Sequence, residues 1–106
     1  MRNITEQATQ AFFEGRNFKL SNTEVHADCT GVYLKLWDNL IAKRIGERVS
    51  ISLAGYNTNT TKERLRGILS KFNKTLITKQ GKVFIFKKAD KELQEININE
   101  FVIVSR

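Results

Sequence analysis

The chain has 106 residues, 41% of them hydrophobic and 27% charged, with a formal net charge of +7. That balance excludes an intrinsically disordered chain and predicts one domain, residues 1–106, built around one core. A single cysteine, Cys29, excludes an intrachain disulfide and makes the cytoplasm the expected compartment. No apolar run is long enough for a membrane-spanning helix. The first residues, Met1-Arg2-Asn3-Ile4-Thr5-Glu6, lack the apolar core of a signal peptide.

Residues 4–14 read as a helix, because Ile4, Ala8, Ala11 and Phe12 recur at helical spacing. Asn3 is placed to cap its start, with Glu6 three residues on, and Gly15 stands where a helix stops. From Thr23 the apolar period becomes two. Val25 and Ala27 alternate with Glu24, His26 and Asp28, and Thr30-Gly31 offers a turn. Val32, Leu34 and Leu36 alternate with Tyr33, Lys35 and Trp37, and Asp38-Asn39 offers the next turn. Leu40 to Ile45 makes a third run, closed by Gly46-Glu47, and Val49, Ile51 and Leu53 make a fourth. Four short strands joined by tight turns predict an antiparallel meander.

Thr60-Thr61-Lys62-Glu63 has the form of a capping box. The helix it opens places Leu65, Ile68, Leu69 and Phe72 on one stripe and should end near Asn73. Thr75 to Lys79 and Lys82 to Lys87 flank Gln80-Gly81 as a hairpin. Ala89 to Glu92 is polar and reads as a loop, and Phe101-Val102-Ile103-Val104 suits a final buried strand. The predicted class is α+β, in the order α-β-β-β-β-α-β-β-β. A mostly antiparallel sheet would carry both helices on one face.

Three segments resemble a small domain of tailed-phage and prophage proteins. They are Ser21-Asn22-Thr23-Glu24-Val25, then Leu34 to Arg44, and then Ala54 to Leu65 with its Asn-Thr-Thr-Lys-Glu-Arg-Leu motif. The resemblance implies a phage setting and carries no active site with it. Asp38 stands where such proteins commonly have glycine, and Tyr56 where they have tryptophan.

The charge is unevenly placed. Lys43 to Lys88 holds twelve basic and two acidic residues, enough to present a positive face to a polyanion or an acidic protein. On the second helix Arg64 and Lys71 flank one side of the apolar stripe, Lys74 lies farther round, and Lys62 and Arg66 flank the other. Tyr56 and Asn57-Thr58-Asn59 precede a helix start that favours an anion. Lys43, Arg44 and Arg48 neighbour Trp37, which is either a stacking platform or core. Phe84 and Phe86, among Lys82, Lys87 and Lys88, pose the same choice.

Catalytic chemistry has little to work with. His26 and Cys29 are the only imidazole and thiol, too few for a zinc site without outside carboxylates. No phosphate loop, GxSxG or HExxH occurs. No cofactor is expected. The expected function is a non-enzymatic, phage-type accessory protein that binds DNA or RNA non-specifically through 43–88. Lys43, Arg44, Arg48, Tyr56, Lys62, Arg64, Arg66, Lys71 and Lys74 would make the contacts. The alternative is an effector that docks on an acidic host protein and inhibits a defence or transcription function.

Overall fold

The computed structural model describes residues 3–105; Met1, Arg2 and Arg106, which belong to the terminal segments read above, lie outside that range. Helix α1 spans Asn3–Glu14 and α2 spans Asn59–Ser70. Strands β1 (Phe18–Leu20), β2 (Thr23–Ala27), β3 (Val32–Leu36), β4 (Asn39–Ile45) and β5 (Arg48–Ile51) lie between them. After α2 come β6 (Lys74–Lys79), β7 (Lys82–Lys87), β8 (Glu92–Ile96) and β9 (Val102–Ile103). Every pairing is antiparallel. The α+β class and the order of the predicted elements hold.

The strands divide between two sheets, β1-β2-β3-β4-β5-β9 and β6-β7-β8. The division follows from α2, which packs along β6. Arg66 donates from Nε and Nη2 to the Leu76 carbonyl at 3.2 and 3.1 Å, occupying an edge group that another strand would otherwise use. Two strands join the seven that the apolar pattern predicts. β1 is three residues long, too short to show a period. In β8 only Ile96 is buried, so its pairing with β7 rests on backbone bonds that leave no apolar trace.

In the larger sheet Val25, Leu34, Ala42 and Ile51 form one cross-strand row and are all buried. Phe12, Leu65, Ile68 and Leu69 from the helices meet that face, and Leu76, Val83 and Ile85 extend the same core to the smaller sheet. Residues at the other phase of each strand face away from the helices.

α1 ends as predicted at Gly15, whose φ is 70°. The Arg16 amide reaches back to the Ala11 carbonyl at 3.0 Å, the longer bond of a Schellman close. α2 starts earlier than predicted. Its cap is Thr58, whose hydroxyl accepts from the Thr61 amide at 3.2 Å. Glu63 takes no part in a capping box; it accepts from the Thr5 hydroxyl at 2.8 Å and from Arg64 at 2.9 Å. A charge-assisted tertiary bond from Thr5 and the pairing with its neighbour Arg64 take the place of the local one. The helix ends at Ser70 with Lys71 as C-cap, short of the expected Asn73.

Candidate partner-docking face

The outward face of the larger sheet is read from its register. His26, Tyr33, Lys43, Ser50 and Ile103 stand side by side across β2, β3, β4, β5 and β9, and Ile45 pairs with Arg48. Neither helix lies on this side. At the β4–β5–β9 end the face sinks into an open groove of about 700 Å³, lined by Lys43, Ile45, Arg48, Ser50, Phe101 and Ile103, with Glu47 as its acidic member. Lys43 Nζ sits 4.5 Å from the centre of the Phe101 ring, a cation–π contact that holds the lysine over apolar surface.

Ile45, Phe101 and Ile103 are all large exposed hydrophobics, and all three line this groove. Scattered exposed apolar residues are ordinary, whereas a cluster rimmed by charge marks an interaction surface. The run Phe101 to Val104, expected as a buried strand, is buried only at Val104 and partly at Val102. An edge strand with one solvated face alternates, and here apolar side chains occupy both phases.

The nine residues expected to contact nucleic acid do not form one surface. Arg64 is 2% exposed; its Nε donates to the Thr23 hydroxyl at 3.0 Å and its Nη1 to the Thr5 hydroxyl at 2.7 Å. Lys62 is 7% exposed and donates to the Thr78 hydroxyl at 2.8 Å. Lys74 is 6% exposed and donates to the Val104 carbonyl at 2.8 Å. Burial holds the Lys74 ammonium below its ordinary pKa, Lys87 lowers it further, and Asp90 opposes both. Lys62 and Arg64 are turned inward because the flanks of α2 meet other elements, not solvent, whereas Lys74, expected farther round that helix, opens β6 instead.

Arg44 and Arg66 are partly buried and committed to backbone. Arg44 Nη2 donates to the Phe12 and Phe13 carbonyls at 3.4 and 3.3 Å, at the end of α1, while its buried Nε has no partner among the described residues. Arg66 caps the β6 edge as described. With Lys62 and Arg64 turned in, the anion site expected at the start of α2 loses its two cations. Lys43 and Arg48 line the groove; Tyr56 and Lys71 are exposed but line no part of it.

The aromatic residues resolve differently. Trp37 is 60% exposed at the β3–β4 turn, with φ 47° followed by 63° at Asp38. Both values belong to a type I′ hairpin, which favours Asn-Gly. Phe84 and Phe86 face outward on β7, opposite Ile77 and Thr75, and are half-buried. His26 Nε2 lies 3.4 Å from Asp28 Oδ2, both well exposed, and Cys29 is exposed. Among the described residues no cluster of three His, Cys, Asp or Glu could hold a metal ion, and no helix is long and apolar enough to cross a membrane.

Sequence reasoning missed Ile45, Phe101 and Ile103 as surface residues. Their apolar character marks them as core; Ile45 is exposed at the β4–β5 hairpin end on the face away from the helices, and Phe101 and Ile103 by the position of β9 at a sheet edge. Compared with known proteins, residues 1–104 match the family described as Kyanoviridae Gp96 protein. No curated protein and no solved structure matches.

Proposed function

The chain belongs to the Kyanoviridae Gp96 family of phage proteins, and from that premise we propose that it is a non-enzymatic accessory protein that docks on a partner protein through the β4–β5–β9 groove. Its expected setting is the cytoplasm of a bacterial host. The observation that carries this reading is the meeting of Ile45, Phe101 and Ile103 with Lys43 and Arg48 on a face that no helix covers. Apolar side chains interleaved with cations suit a protein surface that carries both apolar and acidic groups.

Nucleic-acid binding is the second reading. It keeps Lys43 and Arg48 for phosphates and the Phe101 ring for a base. It loses Arg44, Lys62, Arg64, Arg66 and Lys74, each of which the fold ties to one of its own carbonyls or hydroxyls. Two remaining groove contacts would give a salt slope of only about −2 in log–log form.

Two measurements separate the readings. Fluorescence anisotropy on labelled duplex and single strands across a salt series tests the second; binding at low salt that Arg48→Glu abolishes would favour it over docking. Nuclease-treated capture from infected cells tests the first. A partner retained by the native protein and by Lys71→Glu, but lost with Ile103→Asp and with Arg48→Glu, supports docking. Retention by all four proteins would reject the groove.

A further inference from the structure

We infer that the open edge of β9 receives an extended, acidic segment of a partner protein as an additional strand. This rests on the docking reading and gives it a partner chemistry. The backbone geometry comes first. The Val104 amide donates to the Val49 carbonyl at 2.9 Å, and Ile103 stands opposite Ser50. In an antiparallel ladder the bonded and non-bonded pairs alternate. The N–H and C=O of Ile103 therefore point away from β5, toward the open side of the sheet.

The four sheet edges differ in how they are guarded. Lys19 sits in the middle of β1, Arg66 occupies a carbonyl of β6, and β8 carries Glu92, Gln94 and Glu95. Charged side chains on an edge are the usual defence against unwanted pairing. β9 carries none and is guarded only by being two residues long; Ile103 and, just before the strand, Phe101 are both exposed there. Lys74 covers only the Val104 carbonyl, at one end. An apolar, uncharged edge is what strand addition uses.

Charge selects the segment. A strand added beside β9 sends successive side chains to opposite faces. On the outer face they meet the groove with Lys43 and Arg48. On the other face a second hollow, about 480 Å³, is lined by Lys74, Lys87 and Gln94 together with Phe101, Val102 and Ile103. Burial and then Lys87 lower the proton affinity of Lys74, Asp90 opposes them, and Glu92 lies 3.9 Å from Lys87; an incoming carboxylate adds to this partly balanced cluster. Both phases of the incoming strand thus face cations, with Glu47 set against them on the outer side and Glu92 and Asp90 on the other.

The test uses three labelled decapeptides with the full chain: alternating glutamate and valine, the same peptide N-methylated at every peptide bond, and alternating lysine and valine. Anisotropy gives affinity, and amide chemical shifts with hydrogen exchange give the place. The acidic peptide should bind, shift amides of β5 and β9, and slow exchange of the Ile103 amide. Methylation, and separately Arg48→Glu, should each weaken binding about tenfold or more. Equal binding of the methylated peptide overturns strand addition while leaving groove docking standing. Equal binding of the lysine peptide, or shifts elsewhere, overturns the acidic partner. A dimer in sedimentation that blocks the peptide and is broken by Ile103→Asp overturns it in favour of a second copy. If no peptide binds but groove-dependent capture of the partner persists, this inference fails alone; if that capture fails too, both fail.

Discussion

Around Arg64, polar groups from three elements satisfy one another in the interior. Its guanidinium bonds to Thr23 of β2, to Thr5 of α1 and to Glu63 on its own helix, and Thr5 donates in turn to Glu63. Arg64→Met would leave Thr5 and Thr23, both buried, and the part-buried Glu63 without that donor. The expected cost is about 2–4 kcal/mol, read by urea unfolding. Lys71→Gln, at an exposed cap, should move the midpoint by no more than about 0.5 kcal/mol in free energy. An equal effect of the two changes would refute the buried network. Asp28 offers a pH test at the same scale. The Thr30 hydroxyl, first, and then the Thr30 amide hold its carboxyl below the ordinary value of 3.8, with the Gly31 amide and His26 adding to them. A depressed carboxylate pKa means that the folded state binds the proton more weakly than the unfolded chain. The stabilisation is therefore complete above the ordinary value and is lost as pH falls through the folded one. Asp28→Ala should be less stable than the native protein at neutral pH, and the gap should narrow on acidification.

Between elements, α1 and α2 approach closely at Gly67. A Cβ built on Gly67 would lie 2.4 Å from the Thr9 hydroxyl oxygen and 2.8 Å from the Thr5 methyl carbon. Glycine inside a helix costs about 1 kcal/mol against alanine, yet here it lets two helices meet closely. Gly67→Ala should therefore destabilise the fold by about 1–3 kcal/mol despite its better helix propensity. Thr9→Ala, which removes the nearest atom, should recover part of that loss in a double-mutant cycle. Simple additivity of the two changes would mean that the helices are not in register as described.

Across the whole molecule, the net charge of +7 is divided between two uses. Arg44, Lys62, Arg64, Arg66 and Lys74 tie helices to sheets and cap backbone carbonyls. Lys43 and Arg48 remain at the groove, while Lys79, Lys82 and Lys88 are exposed on the smaller sheet's hairpin and its far end. Adjacent residues make the contrast testable. Lys43→Gln should change unfolding free energy by no more than about 0.5 kcal/mol. Arg44→Gln should cost about 1–2 kcal/mol, because the last carbonyls of α1 lose a charged donor. Calorimetric melting of the two variants measures the difference, and a costlier Lys43 change would reverse the assignment.

Both helices, the meander, the 79–82 hairpin and the α+β class were legible in the chain, because apolar spacing and turn residues act locally. Gln80 and Gly81, with φ of 53° and 77°, take the turn that their residue types favour. The glycine noted at position 38 in the resembling phage domains likewise suits the left-handed backbone found at Asp38. The destination of each cation was not legible. Lysine and arginine flanking an apolar stripe read the same whether solvent or a neighbouring strand lies beyond them. Thr5, Thr23 and Thr78, which receive Arg64 and Lys62, are far away in sequence. Nor does a run such as Phe101 to Val104 show whether another strand will cover it. Which segments become helix or strand is written locally, since those choices depend on neighbours a few residues apart. Which charges are spent inside and which apolar side chains stay outside is settled by packing, because burial depends on residues that meet only after folding.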